Sequence, residues 1–234
     1  MNERAMPHGR TMSMEVDAGL RKYMLGVYNY MASAVLLTGL VALSVAQSQA
    51  ALQIIFGTPL KWVVILAPLG MVFFLSARIN HIQASTAQAL FWVYAGLVGL
   101  SLASIFVAYT GESVARTFFI AAGAFAGLSL FGYTTKKDLT GFGSFLIMGL
   151  IGLLIAMVVN IFLASTMMQW IISVAGVLIF AGLTAYDTQQ IKLAYYAGDD
   201  DSTAQKKSIM GALRLYLDFL NIFLFLLHFL GNRE

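Results

Sequence analysis

From Leu139 to Tyr186 the chain runs 48 residues without an aspartate, glutamate, lysine or arginine. A helix needs about 20 apolar residues to cross a bilayer, so this run is long enough for two crossings joined by a short turn. Soluble folds have no use for such a run. The composition agrees: 59% of residues are hydrophobic and 11% charged, and mean hydropathy is positive. The apolar runs are continuous, where a transmembrane barrel would alternate with period two. The fold class expected is an all-α integral membrane protein.

Seven spans account for the pattern: residues 24–46, 60–77, 87–108, 117–133, 144–163, 170–191 and 209–230. The 48-residue run divides at Ala164 to Gln169. Gly123 and Gly127 share one face of the fourth span and mark an expected close helix approach. Residues 1–22 contain no apolar core and no cleavage pattern, so they read as a polar cytoplasmic tail ahead of a 23–234 transmembrane domain.

The net charge of +3 does not point to nucleic acid, because the basic residues stand singly or in pairs beside the spans. They set topology instead. With the N-terminus inside, ten lysines and arginines fall on inner segments and three on outer ones, Lys61, Arg116 and Arg233. The positive-inside rule then places the C-terminus outside.

The seventh span covers roughly 33 Å and carries Asp218 in its interior. An intramembrane acid costs from about 2.5 kcal/mol upward and needs a protein or water partner. Gly211, Arg214, Asp218, Asn221, Phe225 and His228 fall along one stripe of this helix, with Arg214 four residues from Asp218. Arg214 and Asn221 are candidate supports. Asp187, near the end of the sixth span, enters the same inner half of the membrane. Two carboxyls within about 4 to 6 Å cannot both ionise cheaply, and they exchange protons as a unit. Two separate acids on different faces, each with its own partner, are the simpler alternative. Arg78 closes the second span on the same side, either as a snorkelling anchor or as a cation that latches the ionised pair and lets go when it is protonated.

Other chemistries lack their residues. There is no P-loop, HExxH or CxxC, and there is no cysteine at all. Gly127-Leu128-Ser129 with a distant His228 is a faint serine-protease signal. Tyr186-Asp187 matches half of an intramembrane aspartyl protease pattern, but Leu215-Tyr216-Leu217-Asp218 departs from the other half. No enzyme and no cofactor are expected.

GLTAYDTQQIK (182–192), GALRLYLDFLNIFLFLL (211–227) and FGYTTKKDLTGFG (131–143) together resemble the transmembrane Bax inhibitor motif family, in its bacterial inner-membrane branch of the YccA and YbhL type. The resemblance covers the chain from about Gly19. It implies a seven-helix fold whose last helix is central and wrapped by the other six. It also implies a pH-sensitive calcium leak governed by a di-aspartyl pair, matched by Asp187 and Asp218, with Arg78 as the latching arginine. Calcium would be the permeant ion, bound weakly and transiently by Asp187 and Asp218. The resemblance further suggests residence in the bacterial inner membrane and association with the membrane protease FtsH. The residues leave two other functions open: a non-conducting modulator of a membrane complex, and a proton-coupled transporter of a small solute.

Overall fold

The computed structural model describes the backbone of residues 8–232 and the side chains from Asp17 to Asn232. The described residues form nine helices: α1 (His8–Ala46), α2 (Gln49–Phe56), α3 (Leu60–Arg78), α4 (Ala84–Leu102), α5 (Ile105–Ala108), α6 (Gly111–Thr134), α7 (Thr140–Leu163), α8 (Thr166–Leu193) and α9 (Asp201–Leu230). Seven segments are long and apolar enough to cross a membrane, with α4 and α5 together supplying one of them. Each expected span lies inside one of these segments.

The ends differ from expectation. Helix α1 starts at His8, so residues 8–22, read as part of a polar tail, continue the first spanning helix. Residues 1–7 lie outside the described residues. The break in the uncharged run is two residues long, Ala164 and Ser165. Ala164 closes α7 in the left-handed region at φ 48°, a conformation costly for a residue with a Cβ. Side chains hold the turn. Asn160 Oδ1 accepts from the Ser165 amide at 3.1 Å, and Ser165 Oγ caps α8 by accepting from the Met168 amide at 3.3 Å.

Helix α9 is the centre of the bundle. In its apolar core window 67% of residues are buried, against 11–33% in the other six spans. It packs chiefly on α8, α1, α6 and α4, while α3 packs on α4 and α7 on α8. The last helix is therefore central but not wrapped by all six others, since α3 and α7 form an outer layer. Its N-terminus is fixed by the polar residues around it. Asp200 caps it, accepting from the amides of Ser202 and Thr203. The Thr203 hydroxyl, donating to the same carboxyl, holds Asp200 below the ordinary carboxylate value. Lys207 clips the preceding loop through a 2.6 Å ion pair with Asp199.

Close approach falls elsewhere than expected. Neither Gly123 nor Gly127 has an atom within 4 Å of where a Cβ would stand, so that glycine pair brings no helix near. The tight contact of α6 is one turn further on, at Gly132, where a Cβ would overlap the Ala185 backbone of α8.

Candidate functional site

Helices α8 and α9 run antiparallel, and their register is read from two glycines. A Cβ at Gly211 would meet Ile191, and one at Gly176 would meet Phe225. This register puts Asp187 level with Arg214 and brings Asp218 in one turn deeper.

The packing of α8 on α9 sets Asp187 and Asp218 at one site, near enough for the two carboxyls and the Arg214 guanidinium to act on one another. Asp218 is 3% exposed, and its Oδ2 is buried with no hydrogen-bond partner. Two ionised carboxylates are acceptors only, so contact alone gives neither a hydrogen bond. One proton on the pair supplies the missing donor and turns a repulsive contact into a short O–H···O⁻ bond.

Arg214 sits at the edge of the site. Its Nη1 is 3.9 Å from Asp187 Oδ1, and its side chain is 56% exposed against 17% for Asp187. A long, half-exposed pair of this kind is weak and easily parted. Its partner is therefore Asp187 across the helix interface and not Asp218 on its own helix.

Arg78 does not join the pair. It is exposed at the end of α3, a helix that packs on α4 in the outer layer. It makes no ion pair among the described residues, and the cation at the acids is Arg214. Asn221 is likewise spent locally: its Nδ2 donates to the Leu217 carbonyl one turn back at 2.8 Å. No third aspartate, glutamate or histidine joins Asp187 and Asp218 among the described residues.

Hydroxyls line the site beside Asp187 in an arrangement that the sequence did not single out. Thr188 Oγ1 donates to the Thr184 carbonyl at 2.7 Å and stands 2.9 Å from Ser129 Oγ, which is 2.7 Å from the Tyr28 hydroxyl. This chain ties α8 to α6 and α1 next to the acids. It also gives Ser129 its partners, whereas His228 lies at the opposite end of α9 and bonds the Leu224 carbonyl. The serine-protease signal has no geometry behind it. The nearest sequence sign of the chain was a hydroxyl residue on each of three spans, a pattern too common to select.

Below the site, Gln189 pins the loop between α6 and α7. It accepts from the Leu139 amide at 2.9 Å and donates to the Lys137 carbonyl at 2.7 Å. Lys192 donates to the Tyr133 carbonyl at 2.8 Å. The end of α8 that carries Asp187 is thus anchored by its own polar side chains.

Residues 20–234 match the family described as Inhibitor of apoptosis-promoting Bax1. Over 220 residues the chain is 47% identical to the inner membrane protein YbhL of Escherichia coli K12, covering 93% of this chain and 94% of that protein. It is 50% identical over 218 residues to the uncharacterized protein RP147 of Rickettsia prowazekii, covering 93% and 92%. A match over nearly the whole chain, on a seven-span fold with a buried final helix, shows that the protein belongs to the Bax inhibitor family.

Proposed function

We propose that this protein is a cation leak pathway of a bacterial inner membrane, permeable to calcium, whose opening follows the proton occupancy of Asp187 and Asp218. One observation carries the reading: two carboxyls from adjacent spanning helices share a buried site in which Asp218 Oδ2 has no donor and Arg214 loosely holds Asp187. An acid kept at this depth against its desolvation cost is a mark of ion or proton handling. When the pair is ionised, Arg214 holds Asp187 and ties α9 to α8. When the pair takes up a proton, its charge falls and the weak ion pair lets go. Flux therefore rises as pH falls.

Calcium fits the oxygen chemistry. It takes six to eight hard oxygens in a tight site, and two carboxyls completed by water and carbonyls bind it weakly, which conduction requires. The inner-membrane location is supported by the likeness to the E. coli inner membrane protein YbhL, and the orientation by the ten-to-three distribution of basic residues.

The test is calcium efflux from liposomes containing the purified protein, measured from pH 5 to 8. Asp218→Asn, which leaves Asp187 alone with Arg214, should change the pH response. If wild-type protein passes no calcium at any pH, the pair serves only to organise the bundle. The search then moves to a protein partner such as the protease FtsH, captured equally by wild type and by the double Asp→Asn variant.

A further inference from the structure

At the far end of the seam between α8 and α9, away from the acids, the helix faces are polar again. A cavity of about 540 Å³ opens between the α7–α8 turn and the end of α9, with Asn160, Ser165, Gln169, Ser173 and His228 in its wall. A second cavity of about 270 Å³ shares Asn160, Gln169 and His228 and continues inward to Ile172 and Phe225. Amide and hydroxyl groups in walls of this size suit water.

The cavity floor is aromatic. The Phe225 ring stacks on Phe180 with centroids 6.0 Å apart and planes 26° from parallel. It lies against Gly176, where a Cβ would stand 2.6 Å from the ring. Ser173, Gly176, Phe180, Thr184 and Asp187 follow one another along the α8 face of the seam. On α9 the matching succession is His228, Phe225, Asn221 and Asp218. The seam is thus polar at its outer end, aromatic in the middle and acidic beyond. From Phe225 to Asp218 is seven residues, roughly 10 Å along the helix.

We propose that Phe225, stacked on Phe180 and seated in the gap left by Gly176, is the gate that separates a water-filled entry vestibule at the C-terminal end of α9 from the Asp187–Asp218 pair. An apolar ring across a narrow passage blocks hydrated ions by excluding water. Gly176 is what lets the ring close the seam, because any side chain there would collide with it. Among the described residues the vestibule wall carries amides, hydroxyls and the His228 ring and no carboxylate, so the acidic pair stands behind the gate as the negative charge that draws a cation inward. The inference rests on the reading of that pair as a point on a transmembrane path.

The chain has no cysteine, so a single introduced thiol reports access. A charged, membrane-impermeant methanethiosulfonate is applied separately to right-side-out and inside-out vesicles. His228→Cys, at the mouth, should react from one side whatever stands at position 225. Asn221→Cys and Thr184→Cys, behind the ring, should react from that same side at least about tenfold faster once Phe225→Ala is added. Phe225→Leu keeps an apolar side chain and safeguards the fold, and it should give a smaller increase. The gate is overturned if the two inner thiols react as fast with Phe225 in place, or if both stay equally slow in Phe225→Ala and Phe225→Leu proteins that elute as folded. Thiol access is read without calcium. A gate that labels as expected in a protein that leaks no calcium leaves the gate standing and removes the conduction reading.

Discussion

Helices α7 and α9 are both long enough to cross a membrane, and they meet opposite surroundings. Helix α7 is the most hydropathic of the seven spans, yet 17% of its core window is buried, while the less hydropathic α9 has 67% buried. In water the more apolar helix would be the inner one. In lipid the driving force is different, because the solvent is as apolar as the side chains. Burial then follows from what lipid cannot satisfy: Asp218 and the Tyr216 hydroxyl on α9 need protein around them, whereas α7 presents Leu154, Met157 and Val158 outward at no cost.

The sharpest way to break the comparison is to give α7 an acid of its own. Leu154→Asp places a carboxyl on the lipid face at mid-helix, at a cost of about 2.5–3.5 kcal/mol on insertion scales, and should remove most folded protein from the membrane fraction. The same acid at position 218 is native. Equal yields of Leu154→Asp and wild type would contradict the assignment of the α7 face to lipid.

Glycines give the next effect. Gly132→Ala drives a Cβ into the Ala185 backbone and should destabilise by about 1–3 kcal/mol. Gly127→Ala, facing open space on the same helix, should be neutral or stabilising by up to about 1 kcal/mol from helix propensity. Thermal unfolding in detergent compares the two, and equal shifts would remove the distinction between a packed and an unpacked face of α6.

Tyr216 is fully buried at the heart of α9, 2.6 Å from Thr38 Oγ1, and Thr38 in turn donates to the Ala95 carbonyl at 2.9 Å. With the threonine proton committed, Tyr216 is the donor to Thr38. Tyr216→Phe should cost about 1 kcal/mol, and Thr38→Val should cost less in that protein than in wild type, because only its bond to the Ala95 carbonyl is then left to lose. A double-mutant cycle with additive effects would contradict the link between α9 and α1.

The smallest effect is at Asp200. Its carboxyl sits below the ordinary carboxylate value, so the cap's contribution is present above the unfolded value near about 3.9 and is lost as pH falls through the folded one. Asp200→Ala should raise hydrogen exchange in residues 201–205 at neutral pH, relative to intrinsic rates, by an amount that shrinks as pH falls below the ordinary carboxylate range. An increase that stays the same at all pH values would show that the carboxylate is not the cap.

The number of spans was legible because membrane thickness sets the length of an apolar run, and Asp187 and Asp218 stood out because lipid makes their cost visible. What the sequence could not convey was rotation. Arg78 and Arg214 sit on the same side of the membrane by charge counting, but only packing shows that α3 lies in the outer layer and carries Arg78 away from the acids. The same gap separates Gly123 and Gly127 from Gly132: the spacing marks a face, and the neighbour of that face is set by tertiary contacts. Hydroxyls such as Ser129 and Thr188 satisfy a nearby carbonyl or each other on almost any helix, so their join at 2.9 Å had no distinctive signature. The start of α1 at His8 escaped for a related reason: hydropathy marks where lipid begins, and a helix does not end there.

The most direct measurement is calcium efflux from proteoliposomes against pH for wild type and Asp218→Asn side by side. The proton-governed pair predicts that wild-type flux rises as pH falls, while the variant, which leaves Asp187 alone with Arg214 and no second carboxyl to share its proton, shows a clearly altered pH response. A variant with wild-type flux and wild-type pH response would contradict it.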